Sequence, residues 1–215
     1  MDLNYAQMID WYNRYNDIQY YLKSISPKQL QSKKWLAEEL ANSLQKHNSK
    51  FKPNSDIDVW LLGGWFGYPI IDFINKSKIG DRINSYMNID MDPLATSVTY
   101  KYSQIFGMED RVKVSTSDVS AKIEKLVTWG NKIVINSSSE HMPSLPEMVN
   151  VSTINHTSIF VFQSNDLFDE PDHSNCVRSA EELVEKNQVH NVYFKGGLQF
   201  DNYTRYMVIG SYNES

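Results

Sequence analysis

The sequence predicts an α/β domain of the doubly wound type, a mostly parallel sheet covered by helices on both faces. Three observations predict it. Short apolar strand-like runs alternate with helical patterns from about residue 56 onward, the pattern of parallel strands joined by right-handed crossovers. A glycine-rich turn, Gly63-Gly64-Trp65-Phe66-Gly67, directly follows the first of those runs. The chain then closes on two strand-like runs around Asp201-Asn202-Tyr203, a hairpin that adds or inserts an antiparallel strand.

Residues 1–50 read as a helical cap, and residues 51–215 as the domain it covers. Leu3, Met8, Ile9, Tyr12, Tyr15 and Ile18 recur at helical steps, as one buried helix face requires. Ser26-Pro27 breaks the pattern and starts a new helix, with Ser26 as N-cap and Pro27 in the first turn. That helix runs to about 47 on a stripe of Leu30, Trp35, Leu36, Leu40 and Leu44. A polar connector with Pro53-Asn54-Ser55 leads to the first strand, 59–62. Helix is expected at 69–75, 94–106, 120–127 and 180–186, with an irregular or helical stretch at 144–151. Further strands are expected at 85–90, 112–115, 132–136 and 158–163, then the hairpin strands at 191–199 and 205–211.

Composition narrows the function. The 215 residues suit one such domain. A net charge of −5 and a pI near 5.5 lack the basic face of a protein that wraps duplex nucleic acid. The only short basic cluster is Lys33-Lys34, beside Lys28. A small-molecule substrate is therefore expected, with nucleic acid demoted but not excluded. A single cysteine, Cys176, makes the fold independent of disulfides. No signal peptide and no membrane span are expected, which makes the cytoplasm the expected compartment (the host cytoplasm if the gene is viral). Tyr5, Trp11, Tyr20 and Tyr21 offer aromatic surface for a homo-oligomer contact, with core packing as the alternative.

In an open parallel sheet, ligands bind beyond the carboxyl ends of the strands. Gly63, Gly64 and Gly67 let the backbone approach a ligand closely. Asp90 ends the second strand about 25 residues further on, where a carboxylate accepts both hydroxyls of a ribose. The spacing serves nicotinamide dinucleotides and S-adenosylmethionine alike. Asp92, before Pro93, fits a helix N-cap, which leaves Asp90 for the ribose. Asp118 follows the third strand and is either an acceptor for an adenine amine or a helix cap.

The fourth strand ends in Asn136-Ser137-Ser138-Ser139-Glu140-His141-Met142, the expected chemical segment. Glu140 and His141 are candidates for the general base, the alternative being a surface pair in a loop. Gln163, Asn165 and His173 follow the fifth strand as candidate substrate contacts. Glu140, His141, His173 and Cys176 are of metal-ligating types, but His173-x-x-Cys176 is a poor match to paired-ligand spacings, so no metal is expected.

With these residues in order, the chain resembles the class I S-adenosylmethionine-dependent methyltransferases over about residues 56–211. The glycine turn, 136–142, Gln163-Ser164-Asn165, His173-Ser174-Asn175-Cys176, Ser32-Lys33-Lys34-Trp35-Leu36 and the closing Tyr203-Thr204-Arg205-Tyr206-Met207-Val208-Ile209-Gly210 look more closely like methyltransferase-like proteins common in phages. The resemblance implies a Rossmann-like sheet of seven strands with the last one antiparallel, and S-adenosylmethionine as cofactor. It implies that the methionine part lies against Gly63, Gly64, Trp65 and Gly67. Asp90 would hold the ribose, Asp118 would lie near adenine, and Asn136 to His141 would face the methyl group. The sequence departs from the family twice: Leu61 stands where an acidic residue usually precedes the turn, and Trp65 replaces its middle glycine. It also lacks the Pro-Pro-aromatic signature of enzymes that methylate amino groups of bases.

The function expected is methyl transfer to a small molecule. Cleavage or sequestration of the same cofactor is one alternative, and a non-catalytic partner-binding protein another. A nicotinamide-dependent oxidoreductase is disfavoured by the terminal hairpin and by the lack of a Tyr-x-x-x-Lys pair, since Phe106 follows Tyr102 at that step.

Overall fold

The computed structural model describes residues 3–15, 18–47, 56–123, 131–155 and 157–212. The helices are α1 (Leu3–Tyr15), α2 (Ile18–Ser24), α3 (Pro27–Lys46), α4 (Tyr68–Asn75), α5 (Pro93–Ile105), α6 (Leu145–Met148) and α7 (Ala180–Asn187). The strands are β1 (Ile57–Leu62), β2 (Ile83–Asp90), β3 (Val112–Thr116), β4 (Lys132–Asn136), β5 (Ile159–Asn165), β6 (Asn191–Gln199) and β7 (Thr204–Ser211). They form one seven-stranded sheet in the order β3-β2-β1-β4-β5-β7-β6. β1 to β5 pair in parallel, and β7 runs antiparallel to both β5 and β6. The closing hairpin therefore inserts a strand into the sheet.

The central strands are buried on both faces, so they read as continuous apolar runs and not as alternation. In β4, Ile133 and Ile135 feed one core while Val134 feeds the other. In β5, Ile159 and Val161 take the first side, and Phe160 and Phe162 the second. Edge strand β6 alternates between exposed and half-buried residues.

α1, α2 and α3 join the first core through Met8, Tyr12, Tyr21, Leu36, Leu40 and Leu44. For Tyr21 and Trp11 this is the core-packing alternative. Tyr21 is fully buried, stacked between Tyr12 at 5.0 Å and Tyr68 at 5.7 Å, and Trp11 packs against the same core. The side chain of Tyr5 lies outside the described residues. Pro27 opens α3 as expected, but the Ser26 hydroxyl makes no capping bond. Asp92 does cap α5, accepting the Leu94 N–H at 2.8 Å. The connector at 53–55 and the end of the helix expected at 120–127 lie outside the described residues.

β1 and β4 are neighbours from which the chain winds outward in both directions. That reversal is where an open α/β sheet leaves a crevice at the strands' carboxyl ends. It brings the turn after β1 and the segment after β4 side by side.

Candidate functional site

The glycine turn is fitted to its neighbours. A Cβ on Gly64 would meet Asn88 Oδ1 at 2.0 Å and Leu61 Cβ at 2.8 Å. Between the glycines, Trp65 has φ +48°, a left-handed conformation rarely taken by a bulky side chain. Three hydrogen bonds hold it there. Its N–H donates to Asp90 Oδ2 at 2.6 Å, its carbonyl accepts from Asn88 Nδ2 at 2.8 Å, and its indole N–H donates to the Tyr20 hydroxyl at 3.0 Å. Tyr20 in turn donates to Asp92 Oδ2 at 2.9 Å. Burial, with help from that bond, pushes the Tyr20 phenol pKa upward.

Asp90 ends β2 and stands on the cavity wall. Its Oδ1 accepts the Asp92 N–H at 2.9 Å, as Oδ2 accepts that of Trp65. A carboxylate oxygen has two acceptor sites, so one remains on each oxygen. The next residue, Met91, is 69% exposed, the largest exposure among the described large apolar side chains.

The segment after β4 forms a short 3-10 turn, Ser139–His141. Asn136 is buried, and its Oδ1 accepts the Ser138 N–H at 3.1 Å. Glu140 is not a free loop residue. Its Oε1 accepts from Arg205 Nη1 at 2.9 Å and Asn165 Nδ2 at 2.8 Å, and the two ion-pair side chains are only 3% and 7% exposed. Among the described residues, Glu140 Oε2 has no hydrogen-bond partner. The Glu140 carbonyl accepts the N–H groups of Ser174 and Asn175, at 2.8 and 3.0 Å, tying the turn to the loop after β5. His141 is more open, with its side chain 40% exposed. Its ring lies 4.6 Å from that of His173, edge to face.

A cavity of about 690 Å³ unites these groups, within the size range of small-molecule sites. Gly63, Trp65, Asp90, Glu140, His141 and His173 all contribute to its wall. Gly64 and Gly67 line a smaller adjoining pocket. Other expected residues lie elsewhere. Gln163 is fully buried, held between Ser32 of α3 and Met207 of β7. Asn165 is buried behind Glu140 and positions it. Asp118 is exposed and accepts the Ser120 N–H at 2.8 Å, the capping alternative. The structure thus does not bring Asn136, Gln163, Asn165 or Asp118 to the cavity wall.

The wall residues not singled out for the site from sequence include Tyr20 and Lys23 on α2, Lys33 on α3, Arg205 on β7, and Glu170 and Asp172 in the loop after β5. Burial pushes the Lys33 ammonium down to about 7, with Arg205 adding to the effect and Glu140 opposing it. The pair Lys33-Lys34 is visible in the sequence as a basic cluster, but nothing local marks Lys33 as the residue that turns inward. Among the described residues, no helix is long and apolar enough to cross a membrane.

No protein-family model and no curated protein matches the sequence. Solved structures match its fold. TrmK of M. capricolum, solved with the natural cofactor product S-adenosyl-homocysteine, superposes with a TM-score of 0.52 at 11% identity, over 81% of this chain and 68% of that one. The METTL16 MTase domain gives 0.55 at 9% identity, over 81% and 66%. The human methyltransferase 10 domain containing protein gives 0.51 at 8% identity, over 82% and 81%. At such identities the likeness is one of fold: the seven-stranded α/β sheet of this chain has the Rossmann-like fold of these solved methyltransferase structures.

Proposed function

We propose that this chain is an S-adenosylmethionine-dependent methyltransferase acting on a small polar molecule. One observation carries the reading. A glycine turn that tolerates no side chain at Gly64 faces a carboxylate, Asp90, which keeps a free acceptor site on each oxygen at the mouth of one cavity. That combination fits a ribose diol with an amino-acid tail beside it. Met91, exposed just beyond Asp90, offers an apolar face to a flat base. This takes over the adenine contact expected of Asp118. Leu61 supplies no charge, being buried in the core. The cofactor's ammonium is left to wall acids such as Glu170 and Asp172.

When bound, S-adenosylmethionine supplies an electrophilic sulfonium methyl. The protein's part is alignment, exclusion of water and proton removal. We take residues 1–50 as a cap over residues 51–215, with α2 and α3 contributing Tyr20, Lys23 and Lys33 to the cavity wall. His141 Nδ1 sits 3.1 Å from the Asp172 carbonyl. A carbonyl only accepts, so Nδ1 carries the hydrogen and Nε2 holds the lone pair for an acceptor's proton. Glu140 is committed to Arg205 and Asn165, and we assign it a positioning role. The net charge of −5 favours a small acceptor over nucleic acid.

The test is calorimetric titration of wild type and Asp90→Asn with S-adenosylmethionine, S-adenosylhomocysteine and NAD. Wild type is expected to bind the first two and not NAD. Asp90→Asn is expected to lose roughly tenfold or more in affinity, since charge-assisted hydrogen bonds contribute about 1.5–3 kcal/mol each. Unchanged affinity in the variant would refute the site assignment. Methylthioadenosine as the product, in place of S-adenosylhomocysteine, would move the reading to cofactor cleavage.

A further inference from the structure

We propose that Glu140, His141 and His173 bind one divalent first-row transition-metal ion in the wall of the cavity. A ligand-type atom from each of the three lies within 4.8 Å of the other two. Sequence spacing hides this set, because it joins the turn after β4 to the loop after β5. Cys176, the fourth residue of ligating type nearby, contacts Nδ1 of His173 at 3.5 Å. It therefore sits on the side of the ring away from Nε2 and falls outside the set.

Two independent features aim the donors. The first concerns the rings. His141 Nδ1 lies 3.1 Å from the Asp172 carbonyl oxygen and 3.4 Å from its carboxylate, and His173 Nδ1 lies 3.0 Å from the Leu167 carbonyl. Each Nδ1 therefore donates, which leaves Nε2 as the nitrogen of each ring open to a cation. Metal-bound histidines are oriented in this way, by a carbonyl or carboxylate on the other nitrogen.

The second feature is Glu140. Its side chain is almost fully buried and lines the cavity, Oε1 is occupied by Arg205 and Asn165, and Oε2 has no hydrogen-bond partner among the described residues. Buried polar atoms are nearly always satisfied, and a cation between Oε2 and the two imidazoles would satisfy this one.

Two imidazoles and one carboxylate suit zinc, iron(II) and their neighbours, whereas magnesium and calcium prefer all-oxygen cages. Bonds of about 2.0–2.2 Å require ligand atoms roughly 3.3 Å apart. His141, with its open side chain, has room to close the remaining distance. Three protein ligands leave coordination positions free, beside Gly63 and Asp90 on the same wall. A hydroxyl or carboxylate oxygen of the acceptor would be held there. That last consequence rests on the methyltransferase reading and replaces the proton-accepting role given there to His141, since Nε2 cannot hold the metal and a proton at once; the metal site itself does not rest on that reading.

The test uses the full chain, stripped with a chelator and free of nucleoside. Zinc is titrated by calorimetry and cobalt(II) by visible absorption. The expected result is one equivalent of zinc and a cobalt spectrum of nitrogen and oxygen ligands. His141→Ala and His173→Ala should each weaken zinc roughly tenfold or more with unchanged circular dichroism. Absence of stoichiometric binding, binding that survives both substitutions, or a thiolate-to-cobalt band would each overturn the proposal. Parallel titrations with S-adenosylmethionine separate the two readings. Zinc binding without nucleoside binding leaves the metal site standing and removes the cofactor; the reverse does the opposite.

Discussion

Replacing Arg205 by Met tests how the candidate site is held together. The guanidinium is 7% exposed and pairs at 2.9 Å with a carboxylate that is 3% exposed. It also donates to the Ser137 carbonyl at 3.3 Å, in the segment that leads to Glu140. Methionine fills much of the same volume, so the main effect is a buried carboxylate left with one amide partner, Asn165. Breaking a buried pair from one side costs about 3–5 kcal/mol. For a chain of this size that is about 2–4 °C per kcal/mol, or roughly 6–20 °C in Tm. Lys33 sets the lower end. Burial and then Arg205 push its ammonium down to about 7, so removing Arg205 shifts Lys33 toward its charged form and offsets part of the loss. Thermal and urea melts of Arg205→Met, Glu140→Met and the double variant complete the cycle. The double variant should recover most of the loss, because it leaves no orphaned charge. A loss below about 1 kcal/mol in Arg205→Met would show that water reaches the pair, and the account of Glu140 as a buried carboxylate held by Arg205 would fail.

Gly64→Ala forces a Cβ to within 2.0 Å of Asn88 Oδ1; overpacking of this kind costs about 1–3 kcal/mol, and a melt within about 0.3 kcal/mol of wild type would mean that the turn is looser than described. Tyr20→Phe removes the hydroxyl joining Trp65 to Asp92, so a stability loss of about 1–2 kcal/mol and weaker S-adenosylmethionine binding are expected, and unchanged binding would detach the cap from the site. Burial raises the pKa of the Tyr86 and Tyr212 phenols. Their unfolded counterparts ionise near pH 10, so this stability is complete below about pH 10 and is lost as pH rises toward the folded values. Stability measured against pH should therefore fall above about pH 10, and the Tyr86→Phe and Tyr212→Phe variants should fall less steeply; a flat profile in wild type would refute the assignment.

The sheet was legible because its physics is local. Strands buried on both faces must be apolar throughout, and the runs at β4 and β5 say so without their neighbours. The cap of α5 by Asp92 was likewise readable from Asp92-Pro93 alone. What failed depended on contacts between distant residues. Gln163 and Asn165 look like a polar rim in sequence, yet the first is enclosed by α3 and β7 and the second lies behind Glu140. Glu140 looks like a loop base until Arg205, 65 residues away, is seen beside it. Lys33 sits on a helix whose outward neighbour, Lys34, has the same charge, so composition alone cannot tell which of the two faces the cavity.

Trp65 shows how these distant contacts assemble into one device. A glycine at that position would adopt the left-handed turn at no cost; a tryptophan pays about 1–2 kcal/mol for it. The indole returns a bond that glycine lacks, to Tyr20 on α2, and Tyr20 passes it on to Asp92 two residues beyond Asp90. The turn, the end of β2 and the N-terminal helices are thereby tied at one point, over the cavity that holds Asp90, Glu140 and His141. A strained residue survives where its surroundings over-determine it, and here the surroundings include the cap. The departure of Trp65 from the glycine pattern is thus accounted for by the same helices that depart from a bare sheet. The residue that departs from the glycine pattern is the one that ties this turn to α2.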